Sequence, residues 1–323
     1  MISILRSNQP IAWSIVPATI LLGIAWHIWD GDSSALALTV YGIGALMLAG
    51  YAHRLYVQRN FVERGDPALA WSVVAWCVAL VPVATPSEGV QTWISLLLIS
   101  GTLDQTLRIH RQPSTSSIQF RAAILAGLAI GMQPLNAGIL LGLVLVQIRS
   151  RPAVFREWAM LVIGLAHGLL IAELCWRLLS GSQAIPIAAS PASNEVLSLS
   201  SLWSILAMII AGAFGLFMLI RENPRLTLKT KNTRYHAILS LLCLVAGASA
   251  FHWLDPTFLK AVNSIDHARQ HWALIAAWSL GFICVGLIPK RERRNDKLNS
   301  LEAFSWLIFV GMLLVVFGLR LIH

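Results

Sequence analysis

The sequence predicts an all-α, polytopic transmembrane helical bundle of about eleven helices, and three observations carry that prediction. Only 12% of the 323 residues are charged while 57% are apolar, and mean hydropathy is +0.70. An ordinary soluble domain is about 25% charged, so this chain has too little polar surface to cover a water-soluble body. The apolar residues also fall in long runs, each near the roughly 20 residues that a bilayer-spanning helix needs. Finally, Lys and Arg cluster between alternate runs, as cytoplasmic loops require.

Taken in order, the first run (11–29) follows a short segment whose one basic residue is Arg6. No small-x-small cleavage site closes it, and it exceeds a secretory apolar core of roughly 7–15 residues, so it reads as a retained helix. The second (35–52) is followed by Arg54, Arg59 and Arg64, and the third and fourth (67–84 and 89–107) by Arg108, Arg111 and Arg121. The fifth and sixth (118–132 and 134–148) precede Arg149, Arg151 and Arg156. After the seventh and eighth (156–178 and 202–220) come Arg221, Arg225, Lys229, Lys231 and Arg234. The ninth and tenth (235–253 and 271–288) lead to Lys290, Arg291, Arg293, Arg294 and Lys297, before the eleventh (302–321).

With the N-terminus inside and the C-terminus outside, 20 of the 24 basic residues lie in inner loops; Arg177, Lys260, Arg269 and Arg320 are the exceptions. One segment decides the count. Residues 118–148 are either one kinked helix or a short broken hairpin around Gly131-Met132-Gln133-Pro134. A single crossing would invert every later loop, so the basic flanks predict the hairpin. Its arms, about 15 residues each, reach roughly 22 Å, short of the roughly 30 Å hydrocarbon core. Its tip is therefore expected below the outer surface, sheltered from lipid. Trp26, Trp29, Trp93, Trp176, Trp203, Trp253 and Trp272 near outer ends, and Trp13, Trp158 and Trp306 near inner ends, suit interfacial belts. The longest loop, about 180–200, carries Pro186 and Pro191 and is read as non-helical. The whole chain, 1–323, reads as one integral membrane domain.

The net charge of +9 does not point to nucleic acid, because topology accounts for the basic clusters; the bilayer is the expected partner, and the run from Lys290 to Lys297 suits a headgroup-facing patch. Cys77, Cys175, Cys243 and Cys284 sit inside apolar runs without metal-ligand spacing and read as small core side chains. No P-loop, GxSxG, HExxH, haem-attachment CxxCH or Gly-rich dinucleotide turn occurs. No cofactor or metal is expected.

Ionisable and amide side chains near membrane depth are the candidates for function. Asp30 and Asp32, in Ala-Trp-His-Ile-Trp-Asp-Gly-Asp, suit a catalytic base at the mouth of an outer cavity, with His27 beside them; ordinary turn chemistry explains the same residues. Gln133 and Asn136 mark the broken hairpin, where transporter-like folds place a substrate; a tight turn whose amides satisfy freed backbone is the alternative. Arg177 suits a lipid phosphate, or a helix ion pair with Glu173 four residues earlier. His252, Asp255, Asp266, His267 and His271 flank one outer loop with no recognisable metal motif. His167, mid-span, reads as a hydrogen-bonded core histidine in preference to an axial haem ligand. Asp104 is expected to face cytoplasmic water.

Ile2-Ser-Ile-Leu-Arg-Ser-Asn-Gln-Pro10, Phe120 through Pro134, and Arg156-Glu-Trp with Ile163-Gly-Leu165 resemble a family of bacterial inner-membrane proteins with no assigned activity, over about the first half of the chain. The span order, and Ala126-Gly-Leu-Ala-Ile-Gly131 before a polar break, are also similar to GT-C glycosyltransferases, multi-span enzymes that use polyprenyl-phosphate sugars. That similarity implies an acidic residue in the first outer loop, at Asp30 or Asp32. It departs from the pattern in having only about five residues between the first two spans. The expectation is a protein of the bacterial inner membrane that acts as a non-catalytic structural or assembly subunit of a complex. The alternatives are a GT-C-like envelope protein handling a lipid-linked glycan or polyprenyl phosphate, and a small-molecule transporter with its site at the hairpin.

Overall fold

The computed structural model describes residues 10–29, 34–58, 86–109, 115–132, 134–150 and 154–180, and most of 232–246. Every regular element among them is helical. In chain order these are α1 (Pro10–Trp29), α2 (Ala35–Gln58), α3 (Pro86–Arg108), α4 (Ser116–Met132), a 3-10 turn (Pro134–Ala137), α5 (Gly138–Ser150), α6 (Phe155–Ser180) and α7 (Tyr235–Leu244). The expected runs at 67–84, 202–220, 271–288 and 302–321 lie outside the described residues. Among the described residues, two helices are long and apolar enough to cross a bilayer by length and composition, over Ala35–Leu55 and Phe155–Cys175.

The described helices belong to two compact units, α1 and α2 in one and α3 from Ser87 to α7 in the other. In the first, Ser34 caps α2: its hydroxyl accepts from Ala37 N at 3.2 Å and its carbonyl from Leu38 N at 3.1 Å. Gly42 lets α2 lie against α1, since a Cβ there would stand 3.2 Å from Ile24 Cδ1. Buried Tyr41, Ala45, Leu48 and Leu55 line one side of α2.

In the second unit the chain doubles back at the 3-10 turn Pro134–Ala137. Gln119 on α4 meets Gln147 on α5, and Asn136 reaches the Ala129 carbonyl, so α4 and α5 run antiparallel about the 3-10 turn. Proline at 134 favours the break, because it has no N–H to offer a continuing helix, although α1 accommodates Pro17 within its length. The expected hairpin is thus present as a chain reversal, with arms of 17 and 13 residues.

α6 then returns parallel to α4. Gly164 packs on Phe120 O and Ala123, Gly168 on Ile124 O and Gly127, and Gly131 on Ala172, so both helices advance together. A small residue stands every fourth position on each helix: Ala123, Gly127 and Gly131 on α4 face Gly164, Gly168 and Ala172 on α6. Backbones approach this closely only where side chains are minimal. A Cβ at Gly127 would stand 2.6 Å from Leu165 O and 3.0 Å from Gly168 Cα, with backbone on every side. Ile109, Ile118, Ala122, Leu143 and Leu161 close an apolar core next to this seam.

α7 packs antiparallel along α5. Gly138 lies on the Cys243–Leu244 backbone and Gly142 on Ser240, 2.9 Å from a Cβ position to Ser240 Cα. At the other end Arg149 stacks over the Tyr235 ring at 5.2 Å, beside a 3.4 Å contact between Ser150 Oγ and His236 Nε2. Cys243 is buried and Cys175 half-buried, both as free thiols; Cys77 and Cys284 lie outside the described residues.

Candidate functional site

Four polar side chains meet beneath the hairpin, where α4 begins, α5 ends and α6 begins. Thr115, Gln119, Gln147 and Glu157 are all buried, Gln119 to 0% exposure and Glu157 to 6%. Glu157 occupies the first turn of α6, where a carboxylate complements the helix dipole. Its backbone N–H and that of Trp158 are taken up by Val154 O at 3.0 and 3.3 Å. Thr115 precedes α4 and its carbonyl accepts from Gln119 N at 2.8 Å, while its hydroxyl donates to Glu157 Oε1. Gln147 Nε2 donates to Glu157 Oε2 at 3.0 Å, and Gln119 Nε2 donates both to Gln147 Oε1 and, at 3.4 Å, to Glu157 Oε2.

The carboxylate sets the orientation of both amides. A carboxylate only accepts, so Gln147 must present its NH₂ to it, which leaves Gln147 Oε1 facing Gln119. Gln119 must then present its own NH₂, and its Oε1 is left without a hydrogen-bond partner. Burial and three donors make Glu157 a tie between three helix ends. They also deny it the open approach that a general base needs.

A second polar pin holds the hairpin tip. Asn136, fully buried, donates from Nδ2 to Ser95 Oγ on α3 and to Ala129 O on α4, each at 2.7 Å. Ala129 O lies in the last turn of α4, whose carbonyls have no further helical turn to supply donors, so the amide satisfies one of them. Asn136→Leu should therefore cost about 1–3 kcal/mol of stability, the expense of a buried acceptor left without its donor. The check is the thermal midpoint of the purified, detergent-solubilised protein.

The expected site residues fall as follows. Asn136 is placed as above, holding the turn to α3 and α4. Arg177, in the last turn of α6 and 64% exposed, donates from Nε to Glu173 Oε1 at 2.8 Å, the expected helix ion pair. His27 lies in the last turn of α1. Asp30, Asp32 and Gln133 lie outside the described residues, as do His252, Asp255, Asp266, His267 and His271. No group of three His, Cys, Asp or Glu that could hold a metal occurs among the described residues.

Two expectations need correction. Asp104 is buried at 4% exposure and pairs with Arg108 at 2.6 Å, where open water was expected; the helix turn brings Arg108 back over it. His167 is hydrogen-bonded, Nδ1 to Ile163 O at 2.8 Å, yet exposed instead of buried. The glycines at 164 and 168 turn the adjacent edge of α6 to α4, and the ring stands at the rim of that contact, edge-on to Phe120 of α4. The Thr115–Gln119–Gln147–Glu157 knot was not anticipated, because each member stands close to an Arg in a predicted inner loop. One signal was available: Gln119 and Gln147 lie equally far before and after Gln133, so a hairpin turning there sets them opposite each other.

No family model, curated protein or solved structure matches the chain.

Proposed function

We propose that this chain is an eleven-span protein of the bacterial cytoplasmic membrane, N-terminus inside and C-terminus outside, serving as a non-catalytic structural or assembly subunit of a membrane complex. The observation that carries the reading is the division of α6. One edge is locked to α4 through Gly164, Gly168 and Ala172, while Val162, Leu170, Leu174 and Leu178 stand exposed, and only 22% of Phe155–Cys175 is buried. A long apolar helix that leaves its outer side uncovered is stable in hydrocarbon and unstable in water.

The non-catalytic part of the reading is supported by how the buried polar groups are used. Asn136, Gln147, Glu157 and Asp104 each bind neighbouring helix atoms. The 0% exposure of Asn136 also weighs against a transport site at the hairpin. A lipid-phosphate role rests on Arg177, which is exposed and whose Nε is given to Glu173.

Topology is tested on the full chain by single added cysteines. Ser193→Cys, in the proposed outer loop, is expected to react with a membrane-impermeant maleimide in intact cells. Ser114→Cys, in a proposed inner loop, is expected to react only after permeabilisation. The reverse labelling, or equal labelling of both, defeats the eleven-span arrangement. The subunit role is checked by mild-detergent purification of the tagged chain: a stoichiometric membrane-protein partner is expected, and a stable lone protein carrying polyprenyl phosphate would replace this role with lipid handling.

A further inference from the structure

The antiparallel pairing of α5 and α7 sets an unneutralised guanidinium at one corner of the second unit. Arg149, in the last turn of α5, lies over the ring of Tyr235 at the start of α7, 5.2 Å from its centroid. Arg149 is exposed, and no carboxylate pairs with it among the described residues. The sequence adds charge of the same sign and none to oppose it. Arg151 stands two places after Arg149 and Arg234 directly before Tyr235, and no Asp or Glu occurs over 148–156 or 223–254. Glu157, next in the chain, is buried and taken up by Thr115 and Gln147.

The donors at this corner suit the oxygens of a phosphate. The Tyr235 ring covers one side of the guanidinium but offers no lone pair to its five N–H donors. Held so, the planar fork matches two phosphate oxygens at once. Ser150 adds a hydroxyl beside it, 3.4 Å from Nε2 of buried His236. Where Nε2 carries the proton it donates to Ser150 Oγ, and the serine O–H is left for a phosphate oxygen.

Apolar side chains beside these donors favour a lipid over a dissolved ion. Ile148 precedes Arg149 and is exposed. α6 begins next to the end of α5, because Gln147 donates to Glu157, and Phe155 in its first turn is 86% exposed. A cation bordered by exposed aromatic and aliphatic side chains is amphipathic in the same sense as a headgroup on its acyl chains. We propose that this corner binds the phosphate of an anionic phospholipid of the cytoplasmic leaflet. Arg149 is the fork on the phosphate, Tyr235 its platform and Ser150 a second donor, with Ile148 and Phe155 beside the first acyl carbons. The site rests on the proposed topology, which turns this end of α5 and α7 to the inner side.

The test is native mass spectrometry of the full-length chain in mild detergent, titrated with phosphatidylglycerol or with phosphatidylcholine. Phosphatidylglycerol is expected to bind more tightly. Arg149→Gln should weaken the first bound phosphatidylglycerol by about tenfold, the low end for a hydrogen bond to a charged group. Tyr235→Leu should weaken it by about twofold to fivefold through loss of the cation–π platform, and Tyr235→Phe should leave it unchanged. Arg54→Gln removes another exposed arginine, near the end of α2, and should also leave it unchanged. Equal losses from Arg54→Gln and Arg149→Gln, or equal binding of the two lipids, overturn the site in favour of general charge attraction. Excess inorganic phosphate should leave the lipid bound; displacement by phosphate assigns a soluble anion and overturns the lipid. Alkaline carbonate extraction of native membranes distinguishes failure of the site from failure of the membrane reading. A chain that stays in the pellet leaves the titration to judge the site alone, and a chain that is extracted removes both.

Discussion

Gly127→Ala is expected to lower the thermal midpoint of the purified protein by about 2–12 °C, although it adds a single methyl group. That methyl would stand 2.6 Å from Leu165 O and 3.0 Å from both Gly168 Cα and Leu169 N. All three are backbone atoms, which cannot move aside as a flexible side chain can. The helices must separate instead, and overpacking of this kind costs about 1–3 kcal/mol. For a chain of this size each kcal/mol moves the midpoint by about 2–4 °C. Gly168→Ala should behave alike, because its added carbon meets Ile124 O and stands 2.9 Å from Gly127 Cα. Gly50→Ala supplies the control. Nothing lies within 4 Å of a Cβ at that position, and alanine is the better helix former by about 1 kcal/mol, so the midpoint should hold or rise. If all three variants melt together, α4 and α6 are not in backbone contact and the parallel arrangement is wrong.

The hairpin was legible because two independent signals met at one place. Pro134 disfavours a continuous helix, and Arg121 and Arg149 at its two ends suit a segment whose ends share one side. Among the described residues helix existence followed from apolar runs, while α2 continues to Gln58, beyond the expected end at 52. The α4–α6 seam was harder to read, since a glycine every fourth residue marks a close approach without naming the partner. Gly127 can be matched to Gly164 or Gly168 only once the chain direction through the hairpin is settled. His167 shows the same gap: its hydrogen bond to Ile163 O is a local matter of four residues, but its exposure depends on which edge of α6 meets α4. Asn136 was legible as a special residue. Its role came from a Ser95 hydroxyl 41 positions earlier, a distance that no local pattern spans.

Glu157→Leu is expected to destabilise the protein by about 3 kcal/mol or more, because it leaves three buried donors without an acceptor at about 1–3 kcal/mol each. It would leave the Thr115 hydroxyl and the facing amide hydrogens of Gln119 and Gln147 without the acceptor they share. Glu157→Gln preserves the shape and one acceptor oxygen, and should cost about 1–2 kcal/mol. The order of the two variants matters more than either value. An exposed or water-filled site would tolerate leucine and glutamine about equally, because solvent would re-satisfy the donors. Unfolding in a graded denaturing detergent, read for both variants beside Gln147→Leu, decides between these cases. A double-mutant cycle of Thr115→Val with Glu157→Gln then asks whether the four groups act as a unit. Coupling of about 0.5–3 kcal/mol is expected for residues in one network, and strict additivity would mean that Thr115 and Glu157 stabilise their helices separately. Because α4, α5 and α6 each contribute to this knot, its loss should loosen the hairpin and the α4–α6 seam together. The Glu157→Leu variant is therefore expected to become sensitive to protease in the loop between α5 and α6, while Glu157→Gln remains resistant.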